Sequence, residues 1–186
     1  MSVYFNRKEE LKEKANKHYK EMEELLREET AECVKNTTVY GGNGESVSAA
    51  SKKEDKDMTD EMVDTVETNK RPEIIVDKLD SVKSMLQHRH GKTAILNFAS
   101  YKNPGGKFME GSSAQEECLC HASNLYNVLR RFSDYYEWNK KHNNRALYTN
   151  RALYSEDVIF FDDSVCVYGA DPEQVRADVI TCAAPN

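Results

Sequence analysis

Apolar side chains recur at two different spacings along this chain, and the spacing predicts where helices and strands lie. Across residues 8–33 they return every three or four positions between Lys and Glu, which predicts a surface helix with a narrow buried stripe. Residues 92–99 are apolar almost throughout, as expected for a strand that is covered on both faces. Residues 115–132 show the helical spacing again and predict a second long helix. The apolar positions of the first stripe are Leu11, Ala15, Tyr19, Met22, Leu25 and Leu26, and those of the second are Cys118, Ala122, Leu125 and Leu129.

Shorter patterns predict further elements between these segments. A short strand is predicted at residues 73–77, and a helix that Asp80 caps is predicted to end near Gln87. Residues 59–70 predict one more short helix. Strands are also predicted at residues 157–161, 165–167 and 177–182.

Composition divides the chain into three parts. Residues 1–40 are predicted to be an N-terminal helical segment that packs on the domain. Residues 41–71 begin with three glycines in four positions and are then rich in charged residues, which predicts a flexible charged loop. Residues 72–186 form the predicted core, whose order of elements favours an α/β class with a mixed central sheet covered by helices. Ligands bind at the carboxyl ends of strands in such sheets, and the loop at residues 100–114 lies at one of these ends.

Net charge narrows the range of partners. The chain has 26 Lys and Arg against 32 Asp and Glu, which gives a net charge of −6. This balance argues against a general nucleic-acid-binding protein, although backbone donors could still bind a polyanion locally. No apolar run approaches the roughly 18 residues that span a membrane, so we expect no membrane partner.

The five cysteines favour a reducing compartment. Their number is odd, their spacing is wide and the sequence starts without a signal peptide, so we expect a cytoplasmic protein. Cys118, Cys120 and His121 could suggest a metal site, but residues two apart on a helix point away from each other. We therefore predict neither a metal site nor a cofactor, and we interpret Cys118 as core packing.

The most informative stretch of the sequence follows the strand at residues 92–99. It contains the glycine pair Gly105 and Gly106 and continues into a helix that opens on the adjacent carboxylates Glu116 and Glu117. Glycines let backbone N–H groups approach an anion without a Cβ in the way, and a helix start adds unpaired N–H groups. The carboxylates supply acid/base chemistry beside them. Together these features predict a site for a phosphorylated sugar.

The two glutamates have different predicted roles. Consecutive helical residues point about 100° apart, so the pair does not flank one bond. Ser113 and Glu116 have the spacing of a capping box with Ser113 as the N-cap, so Glu116 either closes the helix start or holds a ribose hydroxyl. Glu117 has no such local role and is the predicted catalytic acid/base. Gln115 either orients the loop or favours the first helical turn.

Residues of the strand and the loop complete the predicted ligand-binding set, each with a structural alternative. Asn97 contacts the ligand or satisfies donors at the sheet edge, whereas Ser100 and Asn103 hold a sugar hydroxyl or form a local turn. Phe98 packs under a base or ribose, or belongs to the core. The glycine pair binds phosphate or forms a simple turn. The predicted ligand-binding residues are Asn97, Phe98, Ala99, Ser100, Asn103, Gly105, Gly106, Lys107 and Gln115, and the predicted catalytic residues are Glu117 and Glu116.

These motifs resemble those of a known family. The segments Asn97–Ser100, Asn103–Gly106 and Ala114–Glu117 resemble the microbial-type poly(ADP-ribose) glycohydrolase catalytic domain, whose signature is a glycine triplet followed at a short distance by Gln-Glu-Glu. Residues 119–126 and 178–186 are similar to later landmarks of that domain. The resemblance implies a macrodomain-like three-layer α/β/α fold with a mixed central sheet.

The resemblance also implies an activity. The family hydrolyses the ribose–ribose glycosidic bond of poly(ADP-ribose) and releases ADP-ribose, and the second glutamate of its motif corresponds to Glu117. A carboxyl group can serve this reaction first as an acid and then as a base towards water. The implied partners are ADP-ribose and poly(ADP-ribose) on modified proteins.

Two departures from the family pattern leave alternatives open. Lys107 stands where the family has its third glycine, and its side chain could crowd the ligand or pair with the diphosphate. Family members continue beyond the position of Asn186 into a helix, a strand and a second glycine-bearing loop, so the implied domain is short at its C-terminal end. The sequence therefore also fits a non-catalytic or decayed ADP-ribose-binding domain. The residues alone fit a phosphosugar-binding α/β domain of another kind.

Overall fold

The computed structural model describes residues 2–41, 46–48, 72–142, 151–162 and 173–183 as helices, strands and connecting segments. The helices are α1 (Ser2–Leu25), α2 (Arg27–Asn36), α3 (Ser81–His88), α4 (Gln115–His121), α5 (Leu125–Leu129) and α6 (Ser133–Lys141). The strands are β1 (Thr38–Tyr40), β2 (Ser46–Ser48), β3 (Ala94–Ala99), β4 (Ala152–Asp162) and β5 (Glu173–Ala183). A short 3-10 turn at Phe108–Glu110 lies in the loop between β3 and α4.

The strands form one mixed sheet with the order β2-β1-β4-β5-β3. β3 runs parallel to β5, and the pairs β5–β4, β4–β1 and β1–β2 are antiparallel. The register places Ala99 opposite Ala183 and Ala152 opposite Cys182, so the ends of β3 and β5 and the beginning of β4 lie side by side. The loop that carries the predicted site leaves the sheet at these strand ends. The predicted α/β class and mixed sheet are confirmed.

The core lies between one face of the sheet and the helices that follow β3. Side chains from alternate positions of β4 and β5 pack against α4, α5 and α6 there, which removes apolar surface from water. The sheet supplies Leu153, Val158, Phe160, Val175 and Val179, and the helices supply Leu119, Leu125, Val128, Leu129 and Tyr136.

The predicted N-terminal helix is confirmed, but it is two helices rather than one. Leu26 separates α1 from α2 with a non-helical backbone, φ −120° and ψ 36°. Its side chain is buried near Ile159 of β4, whereas Leu25 is 70% exposed, so the prediction that Leu25 faces inward was wrong. The break redirects the chain so that Thr30 and Cys33 of α2 are buried as well.

The apolar segment 92–99 forms a strand, but the prediction that both of its faces are covered was wrong. β3 is an edge strand whose residues alternate between exposed and buried, with Leu96 42% and Phe98 52% exposed. α4 packs against the face that carries Asn97. An apolar run by itself cannot distinguish a strand covered on both faces from an edge strand, because the covering layer comes from elsewhere in the chain.

The strand predicted at residues 73–77 is not a strand in the structure. The backbone there has no regular secondary structure, and Ile74, Ile75 and Val76 are exposed. Their β-branched side chains favour an extended backbone, but a strand also needs a neighbour with which to pair. The segment is held instead by Asp77, whose Oδ2 accepts a hydrogen bond from Ser84 Oγ at 3.2 Å.

The helix predicted over residues 115–132 is interrupted, so α4 and α5 are separate. At the interruption Ser123 forms a bridge with Phe160 of β4, and Asn124 Oδ1 accepts a hydrogen bond from Ile159 N at 3.0 Å. These contacts with β4 replace helical hydrogen bonds, which explains why the periodic pattern does not give one helix. Leu125 and Leu129 are buried as predicted, but Cys118 is exposed and does not pack in the core.

Other predictions are confirmed where the structure describes them. Asp80 caps α3 by accepting a hydrogen bond from Lys83 N at 3.0 Å, and Met85 of that helix is buried. The strands predicted at residues 157–161 and 177–182 lie within the longer strands β4 and β5. The strand predicted at 165–167, the helix predicted at 59–70 and most of the predicted loop at 41–71 lie outside the described residues.

Within the described residues, no helix has the combination of length and apolar character that crossing a membrane requires.

Candidate active site

One buried aromatic side chain, that of Phe108, anchors the loop from Ser100 to Ala114 to the core. Phe108 is fully buried, and its ring centroid lies 4.6 Å from that of His121 and 4.9 Å from that of Tyr126. Its backbone N donates to Gly105 O at 3.0 Å, which closes the turn that contains the glycine pair. A buried ring under the loop fixes the loop against α4 and α5.

The glycine pair adopts a backbone that other residues rarely adopt, and Gly106 lies against both glutamates. Gly105 and Gly106 have φ values of 66° and 58°. A Cβ on Gly106 would lie 2.6 Å from Glu117 Oε1 and 2.9 Å from Glu116 Oε2. Glycine is therefore required here for its positive φ and for the close approach of two carboxyl groups.

Glu116 reaches back to the end of β3 instead of closing the start of α4. Its Oε2 accepts a hydrogen bond from Ser100 N at 2.7 Å. The N-cap of α4 is Ala114, and Ser113 makes no capping hydrogen bond. The predicted capping box was therefore wrong, because Glu116 accepts a hydrogen bond from the backbone of Ser100, at the end of β3, instead of one from the start of its own helix.

Glu117 is held in the same manner by the glycine loop. Its Oε1 accepts a hydrogen bond from Lys107 N at 2.8 Å, and the side chain is 5% exposed. Gly106 N donates to Asn103 O at 3.1 Å. The Gly106 N–H is thus engaged within the loop, whereas the Lys107 N–H orients the Glu117 carboxyl group.

Several buried polar atoms around the glutamates have no hydrogen-bond partner among the described residues. A native protein leaves few such atoms, and each one marks a place where a ligand or water can be bound. Glu116 and Glu117 each have one satisfied and one unsatisfied oxygen, so each carboxyl group is fixed at one oxygen and free at the other. The unsatisfied atoms are Asn97 Oδ1, Glu116 Oε1, Glu117 Oε2 and Tyr136 Oη.

Burial changes the acidity of Glu116. Its side chain is 4% exposed, and burial raises the pKa of its carboxyl group from 4.5 to about 7. The hydrogen bond from Ser100 N opposes this increase, whereas the neighbouring charge of Glu117 adds to it. Close to neutral pH, Glu116 is therefore present in both its protonated and its ionised form.

Glu116→Gln is expected to remove a pH-dependent part of the stability. The folded pKa lies above the unfolded value of 4.5, so the stabilisation by the protonated group is complete below pH 4.5 and is lost as pH rises through about 7. Between pH 5 and pH 8 the wild type should lose about 2–3 kcal/mol of unfolding free energy that the variant retains. Urea unfolding at both pH values measures this difference.

Glu32→Gln is the matched control for this measurement, because Glu32 is an exposed helical carboxylate. This control should have the same pH dependence as the wild type. Parallel stability profiles for the wild type and Glu116→Gln would contradict the assignment of the raised pKa.

Gln115 joins the start of α4 to the edge of the sheet. Its Oε1 accepts a hydrogen bond from Phe98 N at 2.9 Å, and its Nε2 donates to Leu96 O at 2.7 Å. An edge strand leaves such backbone groups unpaired, and here the side-chain amide takes the place of a neighbouring strand. This contact fixes α4, and with it both glutamates, relative to β3.

The structure brings some of the other predicted residues to the glutamates and places one elsewhere. Asn97 is fully buried, and its Nδ2 donates to Thr181 Oγ1 at 3.3 Å. Ala99 is buried on the same face of β3, whereas the Phe98 side chain lies on the opposite face. Ser100 Oγ accepts a hydrogen bond from Asn103 N at 3.2 Å, so these two residues form the local turn that was one of the alternatives.

The cysteines near the site do not converge on a common point. Cys118 is exposed and Cys120 is buried. Among the residues that the structure describes, no group of three or more His, Cys, Asp or Glu side chains could hold a metal ion.

Sequence reasoning missed one glycine that positions the loop. Gly111 has a φ of 78°, and a Cβ there would lie 2.3 Å from Lys8 O of α1. The N-terminal helix therefore packs directly against the loop that carries the site. The available signal was a third glycine that follows the pair within the same loop.

Solved structures of the poly(ADP-ribose) glycohydrolase from Thermomonospora curvata share this fold. The enzyme from Thermomonospora curvata is 22% identical with a TM-score of 0.69, over 95% of this chain and 65% of that chain. Its complex with the inhibitor ADP-HPD is 22% identical with a TM-score of 0.68, over 95% of this chain and 63% of that chain. The enzyme from Deinococcus radiodurans bound to ADP-ribose is 38% identical with a TM-score of 0.47, over 57% of this chain and 42% of that chain.

The chain is shorter than these relatives but matches a family along most of its length. It spans 63–65% of the length of the Thermomonospora curvata chains. No curated protein matches it. The model of the catalytic domain of microbial-type poly(ADP-ribose) glycohydrolase matches residues 7–163, which include the glycine loop and both glutamates, and the chain therefore belongs to that family.

Proposed function

We propose that this protein hydrolyses the ribose–ribose glycosidic bond of poly(ADP-ribose) and releases ADP-ribose. One observation carries the proposal. Glu116 and Glu117 are both buried beside the glycine loop, each held at one oxygen by a backbone N–H of that loop and each with its other oxygen unsatisfied among the described residues. Two carboxyl groups fixed in this way can hold sugar hydroxyls and transfer a proton.

The position of the two carboxyl groups favours a reaction in which a single group acts twice. Oxygens of both glutamates lie within 2.9 Å of one point, the position of a Cβ on Gly106, so the two groups are on the same side of the loop. Enzymes that use an opposed pair place their carboxyl groups on either side of the scissile bond. Here one carboxyl group gives a proton to the departing ribose oxygen and then accepts one from the attacking water.

We assign the proton transfer to Glu117 and the ribose hydroxyl contact to Glu116. Glu117 is the second glutamate of the family motif, and Lys107 N holds its Oε1 at 2.8 Å so that Oε2 is left for the substrate. The unsatisfied Oε1 of Glu116 can bond to a ribose hydroxyl in either protonation state, because a carboxylate accepts and a carboxylic acid donates. A negative charge on the pair also stabilises the oxocarbenium ion that forms as the bond breaks.

The proposed ligand-binding set consists of the strand and loop residues that surround the two glutamates. Asn97 offers an unsatisfied oxygen, and Gly106 leaves the side of the loop that faces the carboxyl groups without a side chain, whereas Gly105 lets the loop pack against Tyr126. The proposed substrate is ADP-ribose polymer on modified proteins. A cytoplasmic location is part of the proposal, and it is supported by the free thiols of the described cysteines Cys33, Cys118, Cys120 and Cys182.

Two measurements on the full chain test this function. Calorimetry with ADP-ribose should give saturable binding, with adenosine as a weaker control ligand because it lacks the diphosphate and the terminal ribose. Incubation with an automodified poly(ADP-ribose) polymerase should release ADP-ribose that is quantified by chromatography. Binding without release would identify a non-catalytic ADP-ribose-binding domain, and the absence of both binding and release would overturn the proposal.

A further inference from the structure

A cavity of about 320 Å³ lies between the beginning of α1 and the loop that follows the glycine pair. Its polar lining, which we call the basic pocket, consists of Arg7, Lys8, Lys107, Glu110, Ser112 and Ser113. The pocket lies beside the glutamates but includes neither of them. Its chemistry is therefore separate from the proton transfer that the glutamates carry out.

The charges of the basic pocket favour an anion. It has three cationic side chains and one carboxylate, in a chain whose net charge is −6. Within the described part of the chain, Arg7, Lys8 and Lys107 form no salt bridge. Cations that outnumber the carboxylates of a concave site raise the local concentration of anionic ligands. The hydroxyl groups of Ser112 and Ser113 are further donors for phosphate oxygens.

The basic pocket and the catalytic carboxyl group share a neighbour, Lys107. Lys107 connects the two sites, because its backbone N donates to Glu117 Oε1 at 2.8 Å and the residue also lines the pocket. A polymer whose scissile bond lies at Glu117 therefore lies next to the wall of the basic pocket that Lys107 forms.

The walls of the basic pocket are held in a fixed relation to each other. The contact between Gly111 and the backbone of Lys8 brings α1 against the loop. Ser112 N also donates to Lys107 O at 3.2 Å, which ties the two ends of the loop segment that lines the pocket. These fixed backbone positions keep the three cationic residues grouped at the pocket, so little backbone entropy is lost when an anion binds.

We propose that the basic pocket binds the diphosphate of the ADP-ribose unit next to the scissile bond, and so favours polymer over single ADP-ribose. This inference rests on the proposed function, because it takes the polymer as the substrate. Each unit of poly(ADP-ribose) carries a diphosphate, so a polymer in the active site presents a second dianionic group that a monomer lacks. Lys107, which occupies the position of a third glycine, is then a ligand contact for the polymer.

The test compares two double variants in the background of Glu117→Gln, which prevents turnover during the measurement. The first is Arg7→Ala with Lys8→Ala, and the second is Lys17→Ala with Lys20→Ala, which removes the same charge from the same helix. The control positions lie at least about 13 Å farther along α1, beyond the roughly 8 Å over which surface charges act at physiological salt. Kd is measured by calorimetry for ADP-ribose and for a purified five-unit oligomer.

The pocket variant should bind the oligomer about 10-fold more weakly and ADP-ribose within about twofold of the parent, whereas the control variant should match the parent for both ligands. The slope of log Kd against log salt for the oligomer should fall by about one for each cation removed. Unchanged melting temperatures and circular dichroism would show that both variants are folded.

Three outcomes would overturn the inference. The first is that the parent binds both ADP-ribose and the oligomer, and that the pocket variant binds each of them as tightly as the parent does. The basic pocket would then not bind the polymer, and the proposed function would stand. If the parent binds neither ligand, the proposed function itself fails. If the pocket variant loses the same factor for a single-stranded DNA of matched charge, the pocket is a general polyanion site and has no preference for ADP-ribose polymer.

Discussion

Glu117→Gln is expected to slow the release of ADP-ribose from poly(ADP-ribose) by about 1,000-fold, in the range that a general acid/base contributes. The amide oxygen of glutamine can still accept the hydrogen bond that Lys107 N donates at 2.8 Å, so the side chain should keep its position. The amide cannot give a proton to the departing ribose oxygen or take one from water. The Kd for ADP-ribose should therefore stay within about threefold, because binding and proton transfer depend on different properties of the group.

Glu116→Gln is the informative comparison, because Glu116 and Glu117 are held in nearly the same way. Glu116 is assigned to a ribose hydroxyl, so its variant should raise KM more than it lowers kcat. Release of ADP-ribose from polymer is measured over a range of substrate concentrations for both variants. If Glu116→Gln abolished turnover and Glu117→Gln left it normal, the two roles would have to be exchanged.

The loop and its two glutamates could be located from sequence because the chemistry is written in adjacent residues. An apolar strand, a glycine pair and a helix that opens on carboxylates form a contiguous pattern, and the structure places Gly106 directly against Glu116 and Glu117. The reason for the glycines was only partly predictable. Positive φ follows from the residue type. The two carboxyl groups come within 2.9 Å of the position of a Cβ on Gly106, and this approach depends on how α4 packs against the loop.

The wrong predictions share a cause, because a local sequence pattern does not show which distant residue will form a hydrogen bond with it. The spacing of Ser113 and Glu116 fits a capping box, but Ser100 N competes for the same carboxylate and lies at the end of a different element. The helical pattern of residues 115–132 is interrupted because Asn124 pairs with Ile159, which is 35 residues away. A periodic sequence shows which backbone is favourable locally, and tertiary hydrogen bonds decide where that backbone stops.

The role of Gln115 could not be predicted either, because it depends on the position of β3 in the sheet. Predictions for Gln115 considered the loop and the first helical turn, whereas its side chain pairs with the backbone of Leu96 and Phe98. This pairing is possible only because β3 is at the edge of the sheet, and the apolar composition of β3 had predicted an interior strand. An error about the neighbours of a strand therefore became an error about a residue of the site.

Gly111→Ala is expected to destabilise the fold by about 3–5 kcal/mol, the largest stability effect among these predictions. The residue has a φ of 78°, which alanine adopts only at a cost. A Cβ there would also lie 2.3 Å from Lys8 O and 3.1 Å from Lys12 N. Both are backbone atoms of α1 that cannot rotate away, so the helix itself must move from the loop. Urea unfolding with the variant and the wild type measures the loss.

Gly91→Ala separates the two causes of this effect. Gly91 has a comparable φ of 64°, but a Cβ there would meet no atom within 4 Å. Its substitution should cost only the backbone term, about 1 kcal/mol. The additional loss at Gly111 then measures how much the contact between α1 and the loop contributes, and the same displacement should weaken oligomer binding because Lys8 moves with the helix. Equal losses for the two variants would mean that α1 yields at no cost, and that the basic pocket has no fixed wall on its helical side.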